Sequence, residues 1–376
     1  MTTSNAPGVP ARAGAGAAPD PGGPPPPAAP PLRARRRRGR GAAAQENRAG
    51  LLFSAPAVTG LLVFLIAPIL MSLWVSFLDW DGQSNPLTPG QEFVGTDNYR
   101  RLLVEDTLLH RDFMLSVRNT LYYVLINVPL VTALSFGLAL VVNQRLLKGR
   151  TFFRTVFYFP SVTSSVAVSI TFLFLFQGAG AVNALLALAG VDGPNWFTDS
   201  RGVLHVLFAA LGLVEEGTTP GWAAVPVGGL PLWEWLAGPS VALCAVIALT
   251  TWQSSGIYML FFLAGLQNIP VSVEEAAVVD GASAWRRFRH VTLPLMRRSV
   301  TLVMTLALIA TWQVFDQIYI MSQGAPAKTT ITPAYLSYVR SFGDGQFGAG
   351  AAVAFALFGI IVVLTALQRW IGREKK

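Results

Sequence analysis

Six stretches of this 376-residue chain are apolar over about 20 residues or more, and nothing else in the sequence limits its fold so tightly. They cover about 51–77, 120–142, 155–177, 239–266, 300–321 and 349–370. A bilayer core takes roughly 20 residues of helix. Inside hydrocarbon every backbone N–H and C=O must be paired within the structure, which leaves only helices and closed barrels. The lengths fit helices, so the sequence predicts an all-α membrane protein with six spans over 51–376. Charged residues make up 13% of the chain, against about 25% in soluble domains. An even number of spans puts both termini on one side.

Positive charge selects that side. Arg145, Lys148, Arg150 and Arg154 lie between spans two and three, and Arg286, Arg287, Arg289, Arg297 and Arg298 between four and five. Arg369, Arg373, Lys375 and Lys376 follow span six, while the opposite loops carry acids such as Asp97, Glu105, Asp192 and Glu234. Short loops rich in Lys and Arg stay in the cytoplasm. The termini and the loop at 267–298 are therefore expected there, in a multi-pass membrane protein. Residues 1–50 are rich in Pro, Ala and Gly and hold eight arginines against Asp20 and Glu46, a net +6 of the chain's +8. They read as a disordered, basic cytoplasmic tail. The Arg33–Arg40 run directly precedes a span and reads as a topology signal touching anionic lipid, not as a nucleic-acid patch. The first apolar stretch is about 27 residues, too long for the apolar part of a signal peptide, so it reads as an uncleaved span. Residues 202–238 form an expected external insertion. Val203–Val214 is too short to cross, and Trp222, Trp233 and Trp235 suit an interface.

Several chemistries are excluded or weakened. Cys244 stands alone, and His110, His205 and His290 are scattered, so neither a disulfide nor a Cys/His metal site can be assembled from the pattern. No G-x-x-x-x-G-K-[ST] occurs, so the chain carries no P-loop. Gly343–Gly348 fits G-x-G-x-x-G, but no strand is expected before it, and it reads as a flexible start of span six.

One polar loop is unusually well specified. Ser272 and Glu275 have the spacing of a capping box. Gly281 stands where a left-handed residue would end that helix. Ser283 can cap a second helix, with Trp285 and Phe288 on one face and Pro294 closing it. The result is a helix–turn–helix knuckle between spans four and five, with an apolar side and an arginine-rich side.

Glu275-Ala276-Ala277, Gly281 and Val291-Thr292-Leu293-Pro294, with Asp280-Gly281-Ala282-Ser283-Ala284-Trp285 between them, resemble the coupling loop of permease subunits of ATP-binding-cassette importers. The surrounding residues resemble the carbohydrate-uptake branch, of the maltose and glycerol-phosphate type. Val291 stands where the family pattern usually has Ile. The likeness extends from about Phe93 to the C-terminus. It implies a type I importer fold and a transport subunit without its own ATPase site or cofactor. ATP and Mg would be bound by two partner ATPase subunits. A second permease, a copy or more often a relative forming a heterodimer, would complete the pore, and an extracytoplasmic solute-binding protein would deliver the sugar. Glu275, Ala276, Ala277, Asp280, Gly281, Leu293 and Pro294 are the implied ATPase-coupling residues.

Polar groups inside spans are costly and usually face a cavity or a neighbouring helix. Trp252, Gln253 and Tyr258 in span four, with Gln313, Asp316 and Gln317 in span five, are the candidate substrate path. Gln313, Asp316 and Gln317 share one helical face. Aromatic rings with amides and a carboxylate suit sugar recognition, though the same groups can simply bond helix to helix. An ion-coupled secondary transporter is the rival reading. It would want buried ionisable relays and internal repeats, whereas Asp316 is the only acid within the spans and no repeat is visible.

Overall fold

The apolar stretches fold into helices for the reason given above: no other local structure satisfies its own backbone. The computed structural model describes residues 40–88, 91–144, 147–214 and 217–371. Arg33 to Arg38, Arg145, Arg373, Lys375 and Lys376, which entered the charge reading, lie outside the described residues. The chain divides into two compact units between Val63 and Phe64. In the first, α1 spans Arg40–Leu61 and so begins well inside the expected disordered tail. Ala42, Ala43, Ala44, Gln45 and Glu46 are strong helix formers, and that local preference outweighs the low hydrophobicity of the segment.

In the second unit α2 (Ala67–Val75) precedes an antiparallel pair, β1 (Leu78–Asp79) with β2 (Glu92–Phe93). Then come α3 (Asp97–Leu103) and α4 (Leu108–Asn143), followed by α5 (Arg150–Val162), α6 (Ser165–Leu175) and α7 (Ala181–Leu188). The 202–238 segment holds α8 (Val203–Ala210), the hairpin β3–β4 (Pro226–Val227 with Leu230–Pro231) and α9 (Leu232–Trp235). At 8 residues α8 is far short of a crossing. The segment is held to α4 by an Arg118–Glu234 ion pair of 3.0 Å and by the Tyr122 hydroxyl, which donates to the Trp235 carbonyl. The remaining helices are α10 (Val241–Gln267), α11 (Val271–Val279), α12 (Ala284–Arg287), α13 (Leu293–Leu295), α14 (Arg297–Trp312), α15 (Asp316–Met321), α16 (Pro333–Tyr338) and α17 (Phe347–Ile371).

Among the described residues four helical runs are long and apolar enough to cross a bilayer: Leu52–Val75, α4, α10 and α17. Two bent pairs bring the number to six at most, if each pair counts as one span. α5 meets α6 at 93°, and Ala284–Leu295 meets α14 at 65°. The third expected span, 155–177, is therefore not one straight helix. Pro160 removes a backbone donor near the end of α5, and Thr163 turns extended (ψ 148°) before Ser165. The fifth, 300–321, is also interrupted: α14 stops at Trp312, and helix resumes only at Asp316. The second overshoots its expected 120–142. α4 has 36 residues, or roughly 54 Å, and its first turns carry His110, Arg111, Asp112 and Arg118. Gly343–Gly348 is preceded by a π-helical turn, Val339–Gly343, and not by a strand.

The core lies between α4, α10 and α14. One cluster gathers Val128, Phe136, Met259, Phe262, Val303 and Trp312, and a second gathers Phe113, Tyr123, Leu243, Val246, Ile318 and Val353. α10 and α5 approach so closely at Gly256 that a Cβ there would lie 2.1 Å from the Phe157 carbonyl oxygen.

Candidate functional site: a loop knuckle and a cleft between spans

The knuckle is built mainly from backbone. Pro270, with φ −60° and ψ 132°, is the N-cap of α11, and Val271 is its first helical residue. Ser272 therefore lies inside the helix, and the expected capping box with Glu275 does not form. The fixed φ of Pro270 and its missing N–H suit the chain end better than Ser272 does. The other end forms as the sequence implied. Gly281 has φ +72°, its N–H donates to the Val278 carbonyl (3.0 Å), and the Ala282 N–H donates to the Ala277 carbonyl (3.0 Å). Those two bonds are a Schellman closure, which needs a left-handed residue. Asp280 is the C-cap, its N–H on the Ala276 carbonyl.

Ser283 caps α12 through its Oγ, which accepts from the Arg286 N–H at 3.4 Å. Pro294 does not close that helix. The chain widens into a π-helical turn, Phe288–Thr292, in which the Leu293 N–H reaches the Phe288 carbonyl, and Pro294 continues into α13. A proline cannot donate to the carbonyl four residues back, and the wider turn takes up that mismatch. Trp285 and Phe288 stack at 5.5 Å, and Phe288 lies 5.9 Å from Phe136 of α4. Met296 is buried. The inner face is thus anchored on the helical core, while Val279 is 86% and Trp285 65% exposed. Glu275, Ala276, Leu293 and Pro294 are exposed as well, and Ala277 is half-buried.

The cleft, of about 260 Å³, opens at the break between α14 and α15. Four of the six expected path residues line it: Tyr258, Gln313, Asp316 and Gln317. Gln253 lies just behind, buried, its Oε1 accepting from Gln317 Nε2 at 3.5 Å. Gln317 Nε2 also donates to Ser165 Oγ at 3.0 Å. The residues that follow the two breaks, in α6 and α15, are thereby bonded to each other. Trp252 is not in the cleft. It is half-exposed against Phe172, with ring centroids 5.4 Å apart.

Sequence reasoning missed the groups that hold the cleft together. Asn127 of α4 donates through Nδ2 to Thr250 Oγ1 (3.1 Å) and Thr251 Oγ1 (2.9 Å), and its Oδ1 accepts from Thr311 Oγ1 (3.2 Å). One buried amide thus joins three helices, α4, α10 and α14. Tyr123, one helical turn away, also lines the cleft. The signal was available: an Asn in the middle of an apolar stretch needs a partner.

The sequence pattern of the binding-protein-dependent transport system inner membrane component matches residues 132–376, which include the knuckle and every cleft residue except Tyr123 and Asn127. The chain belongs to that family. This inner membrane component is 31% identical over 330 residues to the lactose transport system permease protein LacF of Rhizobium radiobacter, covering 87% of this chain and 95% of that one. It is 27% identical over 333 residues to the trehalose/maltose transport system permease protein MalF of Thermococcus litoralis, covering 88% and 96%. Its fold is similar to a bacterial ABC transporter involved in the import of the acidic polysaccharide alginate, with a TM-score of 0.65 at 20% identity over 88% of this chain and 98% of that one. The inner membrane component is a transport subunit and not an enzyme. No group of three or more His, Cys, Asp or Glu suited to a metal occurs among the described residues.

Proposed function

We propose that this permease is half of the pore of an ATP-driven, binding-protein-dependent carbohydrate importer. The knuckle at 267–298 is its cytoplasmic handle, and the cleft is its sugar path. The observation that carries this reading is the knuckle itself. An inter-span loop uses two caps and a half-buried aromatic anchor, Phe288, to hold Val279 and Trp285 exposed, which is what a docking surface for another chain requires. Glu275 and Asp280 offer polar contacts to the ATPase, and Ala276 and Ala277 let its surface approach closely. Leu293 and Pro294 set the turn that joins the handle to α14. Nucleotide-driven closure of two ATPase subunits, which bind the ATP and Mg, moves the handle and shifts the helices between two packings. A second permease, most simply a related chain, completes the pore. The positive flanks support cytoplasmic termini.

In the cleft, aromatic faces with Gln313, Gln317 and Tyr258 suit a polyhydroxylated ring. The names of the relatives, lactose and trehalose/maltose permeases, support carbohydrate as the class. Uptake into membrane vesicles tests the proposal. It is expected to need ATP, to be abolished by vanadate and to survive a protonophore. Glu275→Lys and Gly281→Asp are expected to lower uptake at least tenfold with the protein still inserted. Normal uptake by both variants would refute the handle assignment.

A further inference from the structure

Asp316 is the one formally charged side chain lining the cleft, and among the described residues no Lys, Arg or His lines it. Its carboxylate accepts no hydrogen bond and enters no ion pair among the described residues. Acids beside two other cavities of this unit are neutralised. Asp112 is held by Lys328 (2.6 Å) and Arg340 (2.8 Å), and Glu234 by Arg118 (3.0 Å). Around Asp316 stand only uncharged donors and acceptors, Gln313, Ser254 and Tyr258 among them.

An unpaired carboxylate in a concave cleft whose other lining groups are uncharged concentrates negative potential where the ligand must lie. A hydroxyl can donate to it in a charge-assisted bond, and an ammonium gains more. A second carboxylate or a phosphate meets repulsion, with no cation to bridge the two. We propose that Asp316 is a charge filter, so that the cleft takes neutral sugars and amino sugars and turns away sugar acids and sugar phosphates. This rests on the cleft being the sugar path. A like charge at about 4 Å is penalised roughly 1,000-fold at an effective dielectric near 20, and the exposure of Asp316 to water reduces that to on the order of tenfold. The fold alone does not set the sign of the cargo, since the alginate importer shares it and handles an acidic polymer.

Glucose, glucosamine and glucuronate share a ring and differ by one charge at each step. Their binding to the purified transporter, with its partner subunits in lipid nanodiscs and without the solute-binding protein, is read by titration with saturation-transfer NMR. The wild type is expected to favour glucosamine over glucuronate at least tenfold, with glucose between them. Asp316→Asn should bring that ratio to within about threefold of one and weaken glucose binding only severalfold, and Asp316→Glu should restore the ratio. An equal affinity of the wild type for glucosamine and glucuronate, or a ratio unmoved in Asp316→Asn, overturns the filter. Tyr258→Phe and Gln317→Ala separate this from the parent reading. If they weaken glucose binding while Asp316→Asn leaves the ratio intact, only the filter falls. If no sugar binds the wild type more tightly than these two variants, the cleft is not the sugar path, and the filter falls with it.

Discussion

Val279 and Trp285 stand exposed on a loop, while Asn127 and Gln317 stand among apolar helices. The knuckle and the cleft both invert their surroundings, but by different means. Apart from the Ser283 cap and the Phe288 anchor, backbone bonds at Gly281, Ala282 and Leu293 hold the knuckle, which leaves outer side chains such as Glu275 and Val279 free. Side-chain bonds hold the cleft, so its polar groups are partly committed to structure. The two regions should therefore respond differently to substitution: the knuckle can lose function with little loss of stability, and the cleft cannot lose its ties without loosening the helices.

The sharpest break of that contrast lies behind the cleft. Gly256→Leu forces α10 away from the Phe157 carbonyl, and overpacking of this kind costs about 3 kcal/mol or more. The expected outcome is a transporter that fails to stay monodisperse in detergent on heating. Asn127→Leu removes three interhelical bonds, which in membranes are worth roughly 0.6 kcal/mol each. A thermal shift equivalent to about 2 kcal/mol should follow, together with weaker sugar binding. The knuckle should differ: Ser283→Ala loses a cap worth about 1 kcal/mol locally. Uptake is expected to fall severalfold while the thermal midpoint of the membrane domain stays put, and a matching loss of midpoint would erase the distinction.

The smallest effect belongs to neither region and serves as a control. Burial pushes the His205 imidazole below its ordinary value, and its contact with the Trp233 carbonyl only partly opposes this. The folded state thus binds the proton less well than the unfolded one. The stability this leaves in 202–238 is present above about pH 6.5 and is lost as the pH falls below it. Hydrogen exchange in α8, corrected for intrinsic rates, should quicken at pH 5 relative to pH 7.5 and flatten in His205→Gln, with the knuckle unaffected.

The parts readable in the sequence were those decided locally. Gly281 and Ser283 act on their own turns, and both formed as their neighbours implied. Ser272 was misread because the proline two residues earlier competes for the same cap. Lengths of apolar sequence located the helices, but not the breaks. Pro160 hinted at one, whereas Gln313 to Phe315 contain no proline or glycine to mark the other. Asn127 was overlooked because its partners lie 123, 124 and 184 residues away. Trp252 carried the right chemistry on the wrong face of α10, and a helix read one residue at a time does not reveal which face a cleft will use.

While α5 and α6 meet at a bend, α4 stays helical through Pro129 from the Asp112 ion pairs to Phe136, where it meets the knuckle. Those two residues are about 36 Å apart along the axis. If Pro129 does not absorb the motion, a tilt of roughly 5° at one end becomes a displacement of about 3 Å at the other, enough to pull the Asp112 carboxylate off both Lys328 and Arg340. A nudge too small to repack any core could therefore unfasten the far end of the molecule.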